Sequence, residues 1–282
     1  MSSLKAWFTA GRFFAAPWIL VNTLLGVKLA GFDLHAWLLS FAVVFSILTA
    51  CHYMNAWRDF ARGVDGLEGS RAKPYTAASQ LIPKGELTVG EAKIATIAFL
   101  LLGILLYALF APKRIDSFLL LLMGIAVALT YTDFFKPKGL GEISLFLGHG
   151  FGACAFAYSM VRPATLEAVV AGTILGFWAG LFYTIDQWQD VETDFAHKVK
   201  NYAYLLVKAN MRVSTFYYFG VTAIVTIHLA TTLIGWLPAS TLKALLLLPL
   251  FHFTGVMLDY KFDKGVMLVL MGMWLYPVLM AV

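Results

Sequence analysis

Long apolar runs separated by short charged intervals organise this chain. Nine of them approach the roughly 20 residues that a helix needs to cross a bilayer: 13–31, 36–57, 92–110, 117–133, 142–161, 166–186, 213–235, 240–258 and 265–282. Intervals such as Ala111–Asp116 allow only a tight reversal, so neighbouring runs are predicted to pair as antiparallel helical hairpins. Two intervals are long, 58–91 and 187–212, and they follow the second and the sixth run. That layout predicts one domain over 1–282 made of two four-helix halves, about 1–133 and 142–258, with a ninth helix at 265–282. Halves with an even number of spans repeat about an axis normal to the membrane. The first run contains Pro17 and Trp18 and shows no clear small-residue cleavage site after it, so it is expected to be a retained span, not a signal peptide.

Composition leaves the same reading standing and removes others. Of 282 residues, 60% are hydrophobic and 13% charged, with a mean hydropathy of +0.78; soluble domains run at about 45–50% apolar and about 25% charged. Disordered, collagen-like and disulfide-scaffold classes fail on the same numbers. The expected fold class is all-α, a polytopic integral membrane protein. Cys51 and Cys154 fall inside apolar runs and are read as reduced packing residues.

The net charge of +5 is small but unevenly placed. With the N-terminus in the cytoplasm, only five of the 21 Lys and Arg residues (Lys28, Lys113, Arg114, Arg162 and Lys243) face outward, and the other 16 face the cytoplasm. Lys and Arg concentrate on the cytoplasmic side of membrane proteins. The expected topology therefore has a cytoplasmic N-terminus, both long loops cytoplasmic and the C-terminus on the opposite side. The charge argues for orientation and not for nucleic-acid binding.

Acidic residues collect at those two loops. Asp186, Asp190 and Asp194 come at i, i+4 and i+8 in DQWQDVETD. At about 100° per residue they lie at about 0°, 40° and 80°, one face of a helix. Like charges so placed repel one another unless a cation sits among them. The bland alternative is a solvated helix end, but the preceding Leu181, Phe182 and Tyr183 are apolar and start inside the bilayer, where an acid is by default a functional residue. The second cluster is NAWRDFARGVD, in which Asn55 and Asp59 are one turn apart and Gly63 lets the chain leave the helix and bring Asp65 round.

Oxygen donors of this kind suit Mg²⁺, which is held by one or two carboxylates plus substrate phosphates. No His/Cys spacing competes for zinc; His52, His149, His228 and His252 read as hydrogen-bonded interior residues. Five carboxylates with two Mg²⁺ sum to about −1, so a diphosphate of about −3 needs roughly two to four Lys or Arg. Arg58, Arg62, Arg71 and Lys73 in one loop and Lys198 and Lys200 in the other can supply them, although each also satisfies ordinary cytoplasmic charge placement. A membrane-embedded substrate with a diphosphate head is an isoprenyl diphosphate. Ionising its allylic C–O bond requires a neutralised leaving group and a dry pocket with aromatic faces for the carbocation. Tyr183 and Tyr131 are the first candidates for those faces.

On these residues the chain resembles the UbiA-type superfamily of intramembrane prenyltransferases over essentially its whole length. The first family motif, NDxxDxxxD, is matched by Asn55 and Asp59, with Asp65 two residues late and Ala56 where an Asp is common. Gly63 and Asp65 are similar to the Asn-x3-Asp-x3-Gly-x-Asp spacing of the 1,4-dihydroxy-2-naphthoate prenyltransferase branch. The second motif is matched by Asp186, Asp190 and Asp194, followed by Lys198 and Lys200 without the usual Lys-Arg-Thr run. YTDFFKPKGLGEI, Tyr131 to Ile143, and SQLIPKGELT, Ser79 to Thr88, are similar to further segments of the family.

The resemblance implies nine transmembrane helices around a central cavity open to the cytoplasmic side and the bilayer. It implies Mg²⁺, two ions bridging the diphosphate, held by Asn55, Asp59, Asp65, Asp186, Asp190 and Asp194. Asp59 and Asp190 are then central to catalysis, and Arg71, Lys73, Lys198 and Lys200 bind phosphate oxygens. Glu142 either orients a lipid-soluble, aromatic acceptor or serves as its base, or else simply caps its own helix N-terminus. The implied activity is Mg²⁺-dependent transfer of an isoprenyl chain to that hydrophobic acceptor. One alternative is a class I terpene cyclase of the same superfamily, acting without an acceptor. Another is an ion-coupled membrane transporter, disfavoured because the acids crowd one membrane face instead of spreading through its depth. Oligomeric state is left open: the Gly172–Gly176 spacing packs helices within a chain as readily as between chains.

Overall fold

The computed structural model describes residues 2–63, 80–191 and 202–282. All regular structure among them is helical. Helix α1 (Leu4–Ala10) is capped by Ser3, whose hydroxyl accepts from the Ala6 N–H at 3.2 Å. A bend of 55° follows, with Arg12 at φ 50, before α2 (Ala16–Leu29), which carries Pro17 in its first turn. Asp33 caps the long α3 (Leu34–Ala61). A Thr88–Glu91 capping box starts α4 (Val89–Phe110). Then come α5 (Ile115–Thr130), the short α6 (Gly141–Leu145) and α7 (Ala153–Ser159), and α8 (Leu166–Gln187). The chain ends with α9 (Tyr202–Lys208), α10 (Val213–Leu233), α11 (Leu248–Tyr260) and α12 (Phe262–Ala281).

Each of the nine expected runs is helical, but not each is one helix. Among the described residues seven helices are long and apolar enough to cross a membrane, or eight when the bent pair Leu4–Ala10 and Phe13–Leu29 counts as one span. The expected span 142–161 differs most: α6 and α7 are separated by a π-helical turn, Phe146–Gly152. Its cause is Gly148, Gly150 and Gly152, which lower the cost of leaving the α-helical hydrogen-bond phase. The expected span 240–258 begins as a 3₁₀ stretch, Ala239–Leu247, because Pro249 has no N–H to give to the carbonyl of Leu245.

The packing is that of a membrane protein turned outward. Helices α8, α3 and α12 are the most enclosed, whereas α4 and α5 present Ile94, Ile97, Leu101, Leu105 and Leu119 to the surroundings. The largest apolar core joins α2, α8, α10, α11 and α12 around Trp178, Tyr217 and Tyr276. Where helices approach most closely, glycine makes it possible. A Cβ on Gly26 of α2 would lie 2.2 Å from the Cys154 carbonyl of α7, and one on Gly150 would lie 2.4 Å from the backbone of Gly176 in α8. Inside this core His228 is fully enclosed: Thr241 Oγ1 donates to the Pro238 carbonyl, so it accepts from His228 Nε2 at 2.9 Å, and Tyr276 OH donates to Nδ1 at 2.6 Å. His252, expected in the interior, is instead exposed: Phe251, Thr254, Gly255 and Leu258 form the buried face of α11 and His252 lies off it. Cys51 and Cys154 are free and buried, as expected.

Candidate active site

The site is built where α3, α5 and α8 end and α6 begins, on the same side of the bundle. Asn55, Arg58, Asp59 and Arg62 occupy the last turns of α3, and at about 100° per residue they share an arc of about 100°. Arg62 is the C-cap, and Gly63 follows at φ 69, the left-handed conformation that closes a helix. Asp59 is 2% exposed. An acid so enclosed needs a partner, and its Oδ2 receives Lys136 Nζ from the turn after α5.

Helix α5 does not stop cleanly. It passes into a π-helical turn, Tyr131–Phe135, and then a 3₁₀ turn, Lys136–Lys138. Leaving the α-helical phase leaves carbonyls without their usual partners, and α3 fills them: Arg58 Nη1 donates to the Leu129 carbonyl at 3.2 Å and Arg62 Nη1 to the Thr132 carbonyl at 2.5 Å. Both guanidinium groups also grip the Asp133 carboxylate, Arg58 on Oδ2 and Arg62 on Oδ1. Thr132 Oγ1 donates to Asn55 Oδ1 at 3.3 Å.

The same turn reaches the second acidic helix. The hydroxyls of Tyr131 and Tyr183 are 3.2 Å apart, so adjacent residues Tyr131 and Thr132 touch α8 and α3 respectively. The hydroxyl end of the Tyr183 ring packs against the start of α6, where a Cβ on Gly141 would collide with it. Next to it, Thr184 Oγ1 donates to Glu142 Oε1 at 3.2 Å, holding one oxygen of a half-buried carboxylate. Asp186 is half-buried in the last turn of α8, and the chain continues through a 3₁₀ turn, Trp188–Asp190.

Of the residues expected at the site, Asn55, Arg58, Asp59, Arg62, Tyr131, Glu142, Tyr183 and Asp186 are described and lie at these helix ends. Asp65, Arg71, Lys73, Asp194, Lys198, Lys200 and the side chain of Asp190 lie outside the described residues. Among the described residues no group of three acids, histidines or cysteines forms a metal cluster. The donors that are described nonetheless suit Mg²⁺: they are oxygens, one an enclosed carboxylate whose charge a single lysine now balances. Thr132, Asp133, Lys136 and Thr184 were not anticipated. Asp133 and Lys136 sit within the YTDFFKPKGLGEI stretch, so a search for charged residues in it would have found them.

Comparison with known proteins identifies the family and the fold. The model of the UbiA prenyltransferase family matches residues 17–276. No curated protein matches in sequence. Among solved structures, a UbiA homologue from Archaeoglobus fulgidus bound to GPP and Mg²⁺ superposes with a TM-score of 0.70 at 17% identity, covering 98% of this chain and 100% of that one. The same homologue bound to DMAPP and Mg²⁺ gives 0.69 at 18%, covering 98% and 99%. An apo UbiA homologue from Aeropyrum pernix K1 gives 0.68 at 20%, covering 99% and 97%. The whole-length fold and the family match together make this chain an integral membrane protein of the UbiA prenyltransferase family.

Proposed function

We propose that this protein transfers an isoprenyl chain from an allylic prenyl diphosphate to a lipid-soluble acceptor. The observation that carries the reading is the junction at Tyr131–Lys136, which ties the end of α3, with Asn55 and Asp59, to the end of α8, with Tyr183 and Asp186. Neither acidic cluster stands alone, and between them is the position that a diphosphate head would take. The homologous structures with GPP or DMAPP and Mg²⁺ support the substrate class.

In this reading Asn55, Asp59, Asp65, Asp186, Asp190 and Asp194 would hold Mg²⁺, and two ions are compatible with the charge balance. When bound, the metal neutralises the departing diphosphate. Arg71, Lys73, Lys198 and Lys200 bind phosphate oxygens. Arg58 and Arg62 are engaged by Asp133, and we leave them out of this cradle. The C–O bond breaks with its electron pair leaving on the diphosphate. The ring faces of Tyr131 and Tyr183 stabilise the allylic cation, and the apolar surroundings keep water from it. The acceptor carbon or oxygen attacks and then loses a proton. Glu142, whose other oxygen is not the one that Thr184 holds, is placed to orient the acceptor or take that proton. The diphosphate site faces the cytoplasm, and the prenyl tail extends between the helices toward the bilayer.

The test uses the purified protein with Mg²⁺ and geranyl, farnesyl or geranylgeranyl diphosphate, with and without candidate aromatic acceptors, followed by mass spectrometry of the hexane extract. A prenylated acceptor that disappears with EDTA is the expected result. A cyclic hydrocarbon formed without any acceptor would make it a cyclase and overturn the proposal.

A further inference from the structure

Arg58 and Arg62 share an arc of α3 with the very residues that this reading assigns to the metal. Arg62 is three positions from Asp59, the spacing at which side chains on a helix meet. Lys136 takes Oδ2 of Asp59, which leaves Oδ1 as the oxygen a metal would use. A guanidinium falling back along the helix would land there, and Arg binds carboxylates more tightly and with more fixed geometry than Lys. In the structure neither guanidinium falls back. Both are turned onto the last turn of α5 and the π-helical turn that follows, where each is satisfied by one backbone carbonyl and one oxygen of Asp133.

We propose that Asp133 is a positioning residue that holds Arg58 and Arg62 away from Asp59, and so keeps that carboxylate available to Mg²⁺. The inference rests on the metal–diphosphate reading above. Its physical content is competition. Three groups, Asp133, the carbonyls of Leu129 and Thr132, and Asp59, can accept from two guanidinium groups, and the π-helical turn places the first two sets together. Removing the Asp133 charge leaves the carbonyls as neutral acceptors only, and among the described residues Asp59, three positions back on the same helix, is the acid that Arg62 can then meet. The cost then appears as a raised metal requirement. Chemistry at saturating metal is not the step affected. Asp133 is 45% exposed, so the ion pairs are partly screened and the effect is moderate.

The test is isothermal titration of geranyl diphosphate into the full-length protein in detergent at a series of Mg²⁺ concentrations. Asp133→Asn is expected to raise the half-saturating Mg²⁺ by about fivefold, the upper end for a partly exposed ion pair, while affinity at saturating Mg²⁺ stays near wild type. Asp133→Glu restores the carboxylate and is expected to titrate as wild type. Asp133→Asn combined with Arg62→Gln removes the competitor and is expected to recover most of the lost Mg²⁺ affinity, whereas a purely structural role for Asp133 predicts a double variant no better than the single one. Asp133→Ser is read in the same way should the Asn variant not fold. An unchanged Mg²⁺ dependence, or no recovery in the double variant, overturns the proposal and leaves the metal–diphosphate reading intact. Absence of Mg²⁺-dependent geranyl diphosphate binding in the wild type overturns both.

Discussion

Replacing Asp59 with Asn separates what this residue does for the fold from what it does for chemistry. The side chains are nearly isosteric, and the amide still offers one oxygen. What is lost is a charge at a position only 2% exposed, opposite Lys136. Breaking a fully buried ion pair from one side costs about 3–5 kcal/mol. The Lys136 side chain, however, is 19% exposed and can turn its ammonium toward water, so the loss should approach that of a hydrogen bond to a charged group, about 1.5–3 kcal/mol. Thermal unfolding in detergent should register it as a lowered midpoint. Combining Asp59→Asn with Lys136→Met removes the stranded charge and should raise the midpoint again. Turnover should behave otherwise. Loss of a metal ligand should reduce it at least about a hundredfold, a barrier increase of about 2.7 kcal/mol, and the double variant should regain none of it. If Asp59→Asn kept turnover within about tenfold of wild type at saturating Mg²⁺, Asp59 would not be a metal ligand. If the double variant melted no higher than the single one, the pair with Lys136 would not be what stabilises this corner.

Other substitutions probe separate parts of the argument. Tyr183→Leu removes the ring face, worth about 0.5–2 kcal/mol toward a cation, and should lower kcat by about 2- to 30-fold, whereas Tyr183→Phe keeps the face and should stay within a few-fold; equal losses in the two would assign the effect to the hydroxyl bond with Tyr131. Gly150→Ala places a methyl against the backbone of α8 and should destabilise the protein by about 1–3 kcal/mol, seen as a lower melting temperature; a neutral result would mean the two segments can separate freely. Tyr276→Phe strands Nδ1 of the enclosed His228 and should cost about 1–3 kcal/mol of stability with turnover unchanged, since that network is packed in the core and not at the helix ends that form the site; a selective loss of activity would contradict that separation.

The spans were legible because hydropathy alone decides whether a helix can sit in lipid, and α3, α4, α5 and α8 follow the expected runs closely. The interruption at Phe146–Gly152 was not. Three alternate glycines leave the hydropathy of the run intact while changing its hydrogen-bond phase, and a count of apolar residues is blind to phase. Asn55, Asp59 and Asp186 were legible as candidates because polar oxygens at the edge of an apolar run are costly without a purpose, and the fold brings them to neighbouring helix ends. The partners of Asp59 and Arg62 were not, because Lys136 and Asp133 come from 77 and 71 residues away, and only the packing of α3 against α5 selects them from the other cytoplasmic cations and acids.

The contact between Gly150 and Gly176 has a consequence for how the molecule can adapt. Backbone resting on backbone leaves no side chains to rearrange, so α8 and the α6–α7 segment behave as one stiff plate, with Tyr183 and Glu142 set at a fixed spacing upon it. Helix α4, which packs chiefly on α3, is mostly turned outward and buries only Ala92, Ala95, Thr96 and Gly103. Under the proposed function, differences in the bulk of a bound tail therefore fall on that softer helix. Engineering that aims to change tail length without disturbing the proposed reacting centre should begin with residues of α4, and leave the glycine plate alone.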